Sequence, residues 1–154
     1  MGAMITLEDY FGPYWDHPDK TEEVERNAMD LLRKCNALYC MAELDNCPLP
    51  INPKTGTGVS GKTEGGFRPH DSHTGAPNST HKTGQGVDRY DPERRLAAWI
   101  LAHPESLKEC DLYMEDCRWA VGWVHLQSIP PRSKKRVYIP NANAPLADYP
   151  EPWK

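Results

Sequence analysis

Ser79-Thr80-His81-Lys82-Thr83-Gly84-Gln85-Gly86-Val87-Asp88 sets an imidazole and a carboxylate seven positions apart, with Gly84 and Gly86 between them. Neutral imidazole and carboxylate are ligands that Zn2+ takes readily. The glycines allow tight backbone turns, so ligands that do not share a helix face can still converge. The stretch therefore predicts a glycine-rich metal loop. A third ligand is needed, and His125 in Gly122-Trp123-Val124-His125-Leu126-Gln127 is the best candidate. Two His and one Asp would leave a fourth position open, as in catalytic rather than structural zinc sites.

The chain has 154 residues, enough for one domain with a core of its own. Its formal net charge of -4 excludes the broad basic footprint of a nucleic-acid binder. Arg132-Ser133-Lys134-Lys135-Arg136 is read as a solvated loop. Five cysteines without a CxxC pair predict reduced thiols and no zinc ribbon. No apolar run reaches membrane-spanning length and no signal peptide is visible, so synthesis in the cytoplasm is expected. Met1-Gly2-Ala3-Met4 resembles an expression scar ahead of a start at Met4. The 15 prolines and 11 glycines predict long irregular links between few regular elements.

Working outward, Ile5 to Pro18 reads as an aromatic coil that packs Tyr10, Phe11, Tyr14 and Trp15 on the body. A helix is expected from Thr21 to Glu43. Its cap is Asp19 or Thr21, and its buried stripe runs through Val24, Ala28, Leu31, Leu32, Cys35, Leu38, Tyr39 and Ala42. Gly56-Thr57-Gly58-Val59-Ser60-Gly61-Lys62-Thr63 carries the letters of a phosphate loop. However, Glu64-Gly65-Gly66 follows it and cannot open the required helix, so nucleotide binding is set aside. His70 and His73 lie in an irregular loop and are expected to face solvent or to support a ligand from outside. Asp91-Pro92-Glu93 predicts the start of a second helix, buried through Leu96, Trp99 and Ile100 and ended by Pro104. A further helical turn is expected over Glu105 to Cys110. Leu112 to Glu115 and Trp123 to Leu126 read as an antiparallel hairpin, which places Glu115 on the same side as His125. Val137-Tyr138-Ile139 adds an edge strand.

The segments Gly66-Phe67-Arg68, Gly75-Ala76-Pro77-Asn78-Ser79-Thr80-His81, Gly84-Gln85-Gly86-Val87-Asp88 and Trp123-Val124-His125 together resemble the zinc D-alanyl-D-alanine carboxypeptidase family. That family shares a fold with lysostaphin-type enzymes and the Hedgehog signalling domain. The likeness runs from about Thr21 to Pro140 and is strongest to small phage and prophage members. It implies His81, Asp88 and His125 as zinc ligands, Arg68 as the holder of a substrate carboxylate and Ser79 as a contact to the substrate backbone. Many members place a catalytic glutamate three residues before the last histidine. Gly122 occupies that position here, and Glu115 fits the Hedgehog-like arrangement, with the base on the preceding strand. Gln127 stands where relatives often carry an aspartate two residues after the histidine.

The expected fold is α+β, a single domain over residues 1–154. A small antiparallel sheet carries the site, with two main helices packed on it, an N-terminal coil over residues 1–18 and a proline-rich tail over residues 141–154. The resemblance implies a zinc-dependent peptidase acting on peptidoglycan stem peptides, of carboxypeptidase or endopeptidase type, with Glu115 as general base. The alternative is a catalytically silent metal- or peptidoglycan-binding module such as a phage virion component. The expected partner is the stem peptide, with no nucleic acid or membrane, and a monomer is expected. A phage-type protein would act from the virion or reach the wall on lysis.

Overall fold

The computed structural model describes residues 3–140; the expected proline-rich tail lies outside the described residues. The long helix α2 (Glu22–Leu44) forms where its 3.6-residue apolar period predicts. Thr21 caps it by accepting a hydrogen bond from the Val24 N–H, and Glu22, Glu23 and Glu25 lie at its positive end. The stripe from Val24 to Ala42 is buried, Cys35 included, and all five cysteines are free thiols. The segment expected as coil instead contains α1 (Leu7–Phe11). Thr6 and Asp9 form a reciprocal capping box, a local signal that outweighs the short length of the helix. Tyr10 and Phe11 are buried, whereas Trp15 stays 37% exposed with the Lys20 ammonium over its ring.

The second main helix, α3 (Arg95–Ala102), begins later than Asp91-Pro92-Glu93 predicts. Arg94 takes a left-handed conformation at φ 58°, which breaks the helical path between Pro92 and Arg95. The Asp91 carboxylate still caps the helix, accepting from the Leu96 and Ala97 N–H groups. The short helix α4 (Glu105–Glu109) follows as expected.

Four strands form one sheet: β1 (Gly86–Tyr90), β2 (Tyr113–Glu115), β3 (Trp123–Gln127) and β4 (Val137–Tyr138), in the order β1-β3-β2-β4. The expected hairpin of β2 and β3 is present. The sheet is mixed rather than antiparallel, because β4 runs parallel to β2. The link after β3 steps past one end of β2, and a strand entering from that end must run alongside it. The sequence reading also missed β1. Gly86 to Asp88, expected as metal loop, pairs with β3 instead.

Register sorts the side chains into two rows. Val87, Leu126, Met114 and Val137 are level with one another across the sheet and fully buried, in one cluster with the apolar stripe of α2. Burying each such side chain contributes about 1.5–3 kcal/mol. The next row begins with Asp88 opposite His125 and ends with Glu115 opposite Tyr138. Continuing the β2–β3 register by one residue brings Glu115 level with His125. One row therefore builds the core and its neighbour builds the polar site. No helix among the described residues is long and apolar enough to cross a membrane.

Candidate metal centre

Each member of the polar row is held by backbone before any ligand is considered. The outer edge of β1 is covered by the loop that carries the phosphate-loop letters. Asp88 N–H donates to the Gly65 carbonyl, and the Asp88 carbonyl accepts from Ser60 N–H. This covering leaves no free edge beside the site. His81 sits in a short 3-10 turn, Thr80–Thr83, with Ser79 accepting from the His81 N–H as its cap. The turn docks on the first turns of α2, where Asn27 Nδ2 donates to the Thr83 carbonyl. Gly84 lies so near that a Cβ there would sit 2.5 Å from the Val24 carbonyl oxygen, and its φ of 78° is one that glycine adopts freely.

His81, Asp88 and His125 come together as a buried group whose candidate ligand atoms all lie within 4.8 Å of one another. Asp88 Oδ1 is 3.2 Å from His81 Nε2 and 2.9 Å from His125 Nδ1. Tetrahedral bonds of about 2.0 Å separate ligand atoms by about 3.3 Å, close to both Asp88 distances.

The far side of each ring says which nitrogen is free. His81 Nδ1 lies 2.7 Å from the Gly66 carbonyl, which can only accept, so Nδ1 carries the proton and Nε2 a lone pair. His125 lies between two acceptors, with Nε2 2.9 Å from Gln127 Oε1 and Nδ1 2.9 Å from Asp88 Oδ1; a ring that donates to Gln127 leaves its Nδ1 lone pair to an ion. With His125 in that form, lone pairs of Asp88, His81 and His125 face one point. Acceptors do not face one another stably without a cation between them. A proton on His125 can satisfy part of this arrangement, whereas a metal ion satisfies all three at once. The donor set fits a metal ion, and the group could hold one.

Electrostatics agree with that geometry. Burial pushes the Asp88 carboxyl up, but His81 and His125 outweigh it and hold the group well below the usual carboxylate range. Burial lowers the His81 imidazole. Burial acts the same way on His125, yet the Asp88 carboxylate prevails and raises it. Glu115 is pushed up mainly by burial. No hydrogen bond or ion pair holds its carboxylate among the described residues, and His125 is the largest influence that lowers it.

Arg68 is brought to the site, but its fork is mostly engaged. Nε donates to the Glu64 carbonyl at 2.7 Å, and Nη2 meets Asp88 Oδ2 at 3.2 Å. Asp88 therefore turns one oxygen to the candidate ion position and the other to a guanidinium. Arg68 Nη1 has only long contacts, 3.4 Å each, to the Thr74 carbonyl and Ser79 Oγ. Arg68, Asp88 and Trp123 line a cleft of about 390 Å3 walled by Ser60–Gly65 and Thr74. His70 and His73 are exposed and stand outside the group.

Gln127, noted in the sequence where relatives often carry an aspartate, stands behind His125 together with Tyr138. Other contributors were missed in the sequence, and Gly66 is one: it supplies the carbonyl that orients His81. Buried Lys82 donates to the His70 and Pro77 carbonyls, tying down the loop ahead of His81. Gly86 leaves room for the site itself: a Cβ there would lie 2.2 Å from Thr80 Oγ1 and 3.0 Å from His125 Cε1. Strand alternation puts Gln127, two residues from His125, on the same face.

Comparison with protein-family models, with curated proteins and with solved structures gives no match to this chain.

Proposed function

We propose that this chain is a zinc-dependent peptidase of the Hedgehog and D-Ala-D-Ala peptidase fold, hydrolysing peptide bonds of peptidoglycan stem peptides. The observation that carries it is the buried convergence of one ligand atom each from His81, Asp88 and His125, all within 4.8 Å of one another. Three protein ligands are the number a catalytic zinc keeps when its remaining position is open. When bound there, zinc lowers the pKa of water toward neutrality and polarises a scissile carbonyl.

The chain's own residues supply the rest. Glu115, level with His125 and raised by burial, takes the proton of the attacking water and returns it to the leaving amine. Arg68 Nη1 is the donor left to a substrate carboxylate, since Nε and Nη2 are in use. The cleft beside Arg68 and Trp123 receives the peptide and limits the access of water. The segment likeness set out above supports the substrate class.

A second reading, a silent binding module, is favoured by Gly122 at the usual place of the base and by the engagement of Arg68 with Asp88. Mass spectrometry of purified muropeptides incubated with zinc-loaded protein separates the two. Peptidase action predicts released D-alanine or a cleaved stem, lost on chelation. Cleavage that persists without metal overturns the zinc mechanism, and retention of muropeptides with no product favours the binding module.

A further inference from the structure

Behind His125, on the side away from Asp88, is a hydrogen-bonded chain that the proposed chemistry does not use. Gln127 lies two residues further along β3, so its side chain leaves the sheet on the same face. Its Nε2 donates to the Ile129 carbonyl at 2.9 Å. That bond decides which end of the amide is oxygen, because the reverse orientation would set two acceptors against each other. The Oε1 so placed accepts twice: from Tyr138 O–H at 2.6 Å and from His125 Nε2–H at 2.9 Å. Tyr138 reaches this position from β4, two strands away from β3 in the sheet, and its ring is buried.

We propose that Gln127 and Tyr138 are positioning residues that fix the tautomer of His125 and direct any bound metal to its Nδ1. The idea rests on the metal site proposed above and extends it to residues that touch neither ion nor substrate. An amide has two faces of opposite hydrogen-bonding character, and flipping Gln127 would offer His125 an N–H instead of an oxygen. His125 would then answer with an Nε2 lone pair and place its proton on Nδ1, directly in the ion's position. Two bonds oppose the flip, one at each end of the amide. Tyr138 O–H would lose its acceptor, and the Ile129 carbonyl would lose its donor. A neutral amide does this without adding a second negative charge beside Asp88, as a carboxylate at 127 would.

The test combines histidine nitrogen NMR with zinc affinity, measured by competition against a chromophoric chelator. Wild type, Tyr138→Phe, Gln127→Leu and Gln127→Glu are compared, with the dispersion of the amide spectrum as the control for folding. In the zinc-loaded wild type, the His125 ring should carry its proton on Nε2 and bind zinc through Nδ1. Gln127→Leu removes the acceptor at near-constant volume and should weaken zinc binding roughly 10–100-fold. Tyr138→Phe should weaken it less and bring the Nδ1–H form into view. Gln127→Glu, which still only accepts, should keep the wild-type tautomer and rescue binding. A zinc-loaded wild-type ring bound through Nε2 overturns the proposal, as does a folded Gln127→Leu that binds zinc as tightly as wild type. A wild type that binds no zinc at all instead brings down the metal site, and with it the metal-directing role.

Discussion

Gly66→Ala tests how closely the fold and the site are joined. A Cβ at position 66 would lie 2.0 Å from the Tyr10 carbonyl oxygen and 2.8 Å from its carbon. These are backbone atoms of α1, so no side-chain rotation relieves the overlap. The same backbone holds the bond from Phe67 N–H to the Tyr10 carbonyl at 3.0 Å. Either α1 moves away by more than an ångström or residue 66 retreats into the site. Overlaps of this kind cost about 2–3 kcal/mol, toward the upper end of overpacking effects. For a chain of this length that lowers the melting temperature by about 5–10 °C. Retreat also shifts the carbonyl that accepts from His81 Nδ1, so zinc affinity should fall by roughly tenfold or more. Thermal unfolding by circular dichroism in the presence of chelator reads the first effect, and chelator competition reads the second. A variant melting within about 1 °C of wild type, with unchanged affinity, would refute the coupling.

His81→Ala and His125→Ala should each reduce bound zinc, measured by elemental analysis, from about one ion per chain to little or none; full loading of either would remove that residue from the ligand set. Glu115→Gln should keep the metal while lowering muropeptide hydrolysis by roughly 10²–10⁴-fold, and undiminished turnover would move the general base elsewhere. Arg89 is fully buried and donates to the carbonyls of Ala3, Leu49 and Pro50. Arg89→Met strands three acceptors and should cost more than about 3 kcal/mol, an unchanged urea midpoint being the contrary result. Asp111 is held below the ordinary carboxylate range chiefly by its hydrogen bond from Lys34. Its folded-state value is depressed, so its contribution is present above the unfolded value of about 3.9 and is lost as pH falls through the folded one. At such exposure that contribution is under about 1 kcal/mol. Asp111→Asn should flatten the acid limb of the stability curve by no more than that and leave neutral pH nearly unchanged.

The sequence was most legible where one physical signal acted alone. α2 announced itself through eight apolar positions at helical spacing and a threonine cap, and the structure places it within a residue of expectation at either end. Strand β1 was hidden for the opposite reason. Its core face carries Val87 and then Arg89, a charged residue that is also fully buried, and its other face carries Asp88, so no polar–apolar alternation remains to be seen. The two glycines before it then read as loop. The start of α3 was displaced by a single left-handed residue, Arg94, which no propensity marks. The mixed sheet followed from the route of the link between Gln127 and Val137, not from either strand.

In the site, His81, Asp88 and His125 were legible because metal-ligating residue types are few and their spacing was suggestive. The orientation of their rings was not. It depends on Gly66, Gln127 and Tyr138, whose residue types carry no metal signal and which meet the ligands only through the register of β3 and β4 and the approach of α1. Arg68 lines the cleft, but its bond to Asp88 Oδ2 is a tertiary contact that sequence spacing does not encode.

The most direct measurement is a crystal of the zinc-soaked protein, with data collected on both sides of the zinc absorption edge. The account predicts one anomalous peak per chain, about 2.0–2.2 Å from His81 Nε2, Asp88 Oδ1 and His125 Nδ1, with the fourth position held by solvent. A peak that avoids these three atoms, or a His125 turned to bind through Nε2, would contradict it.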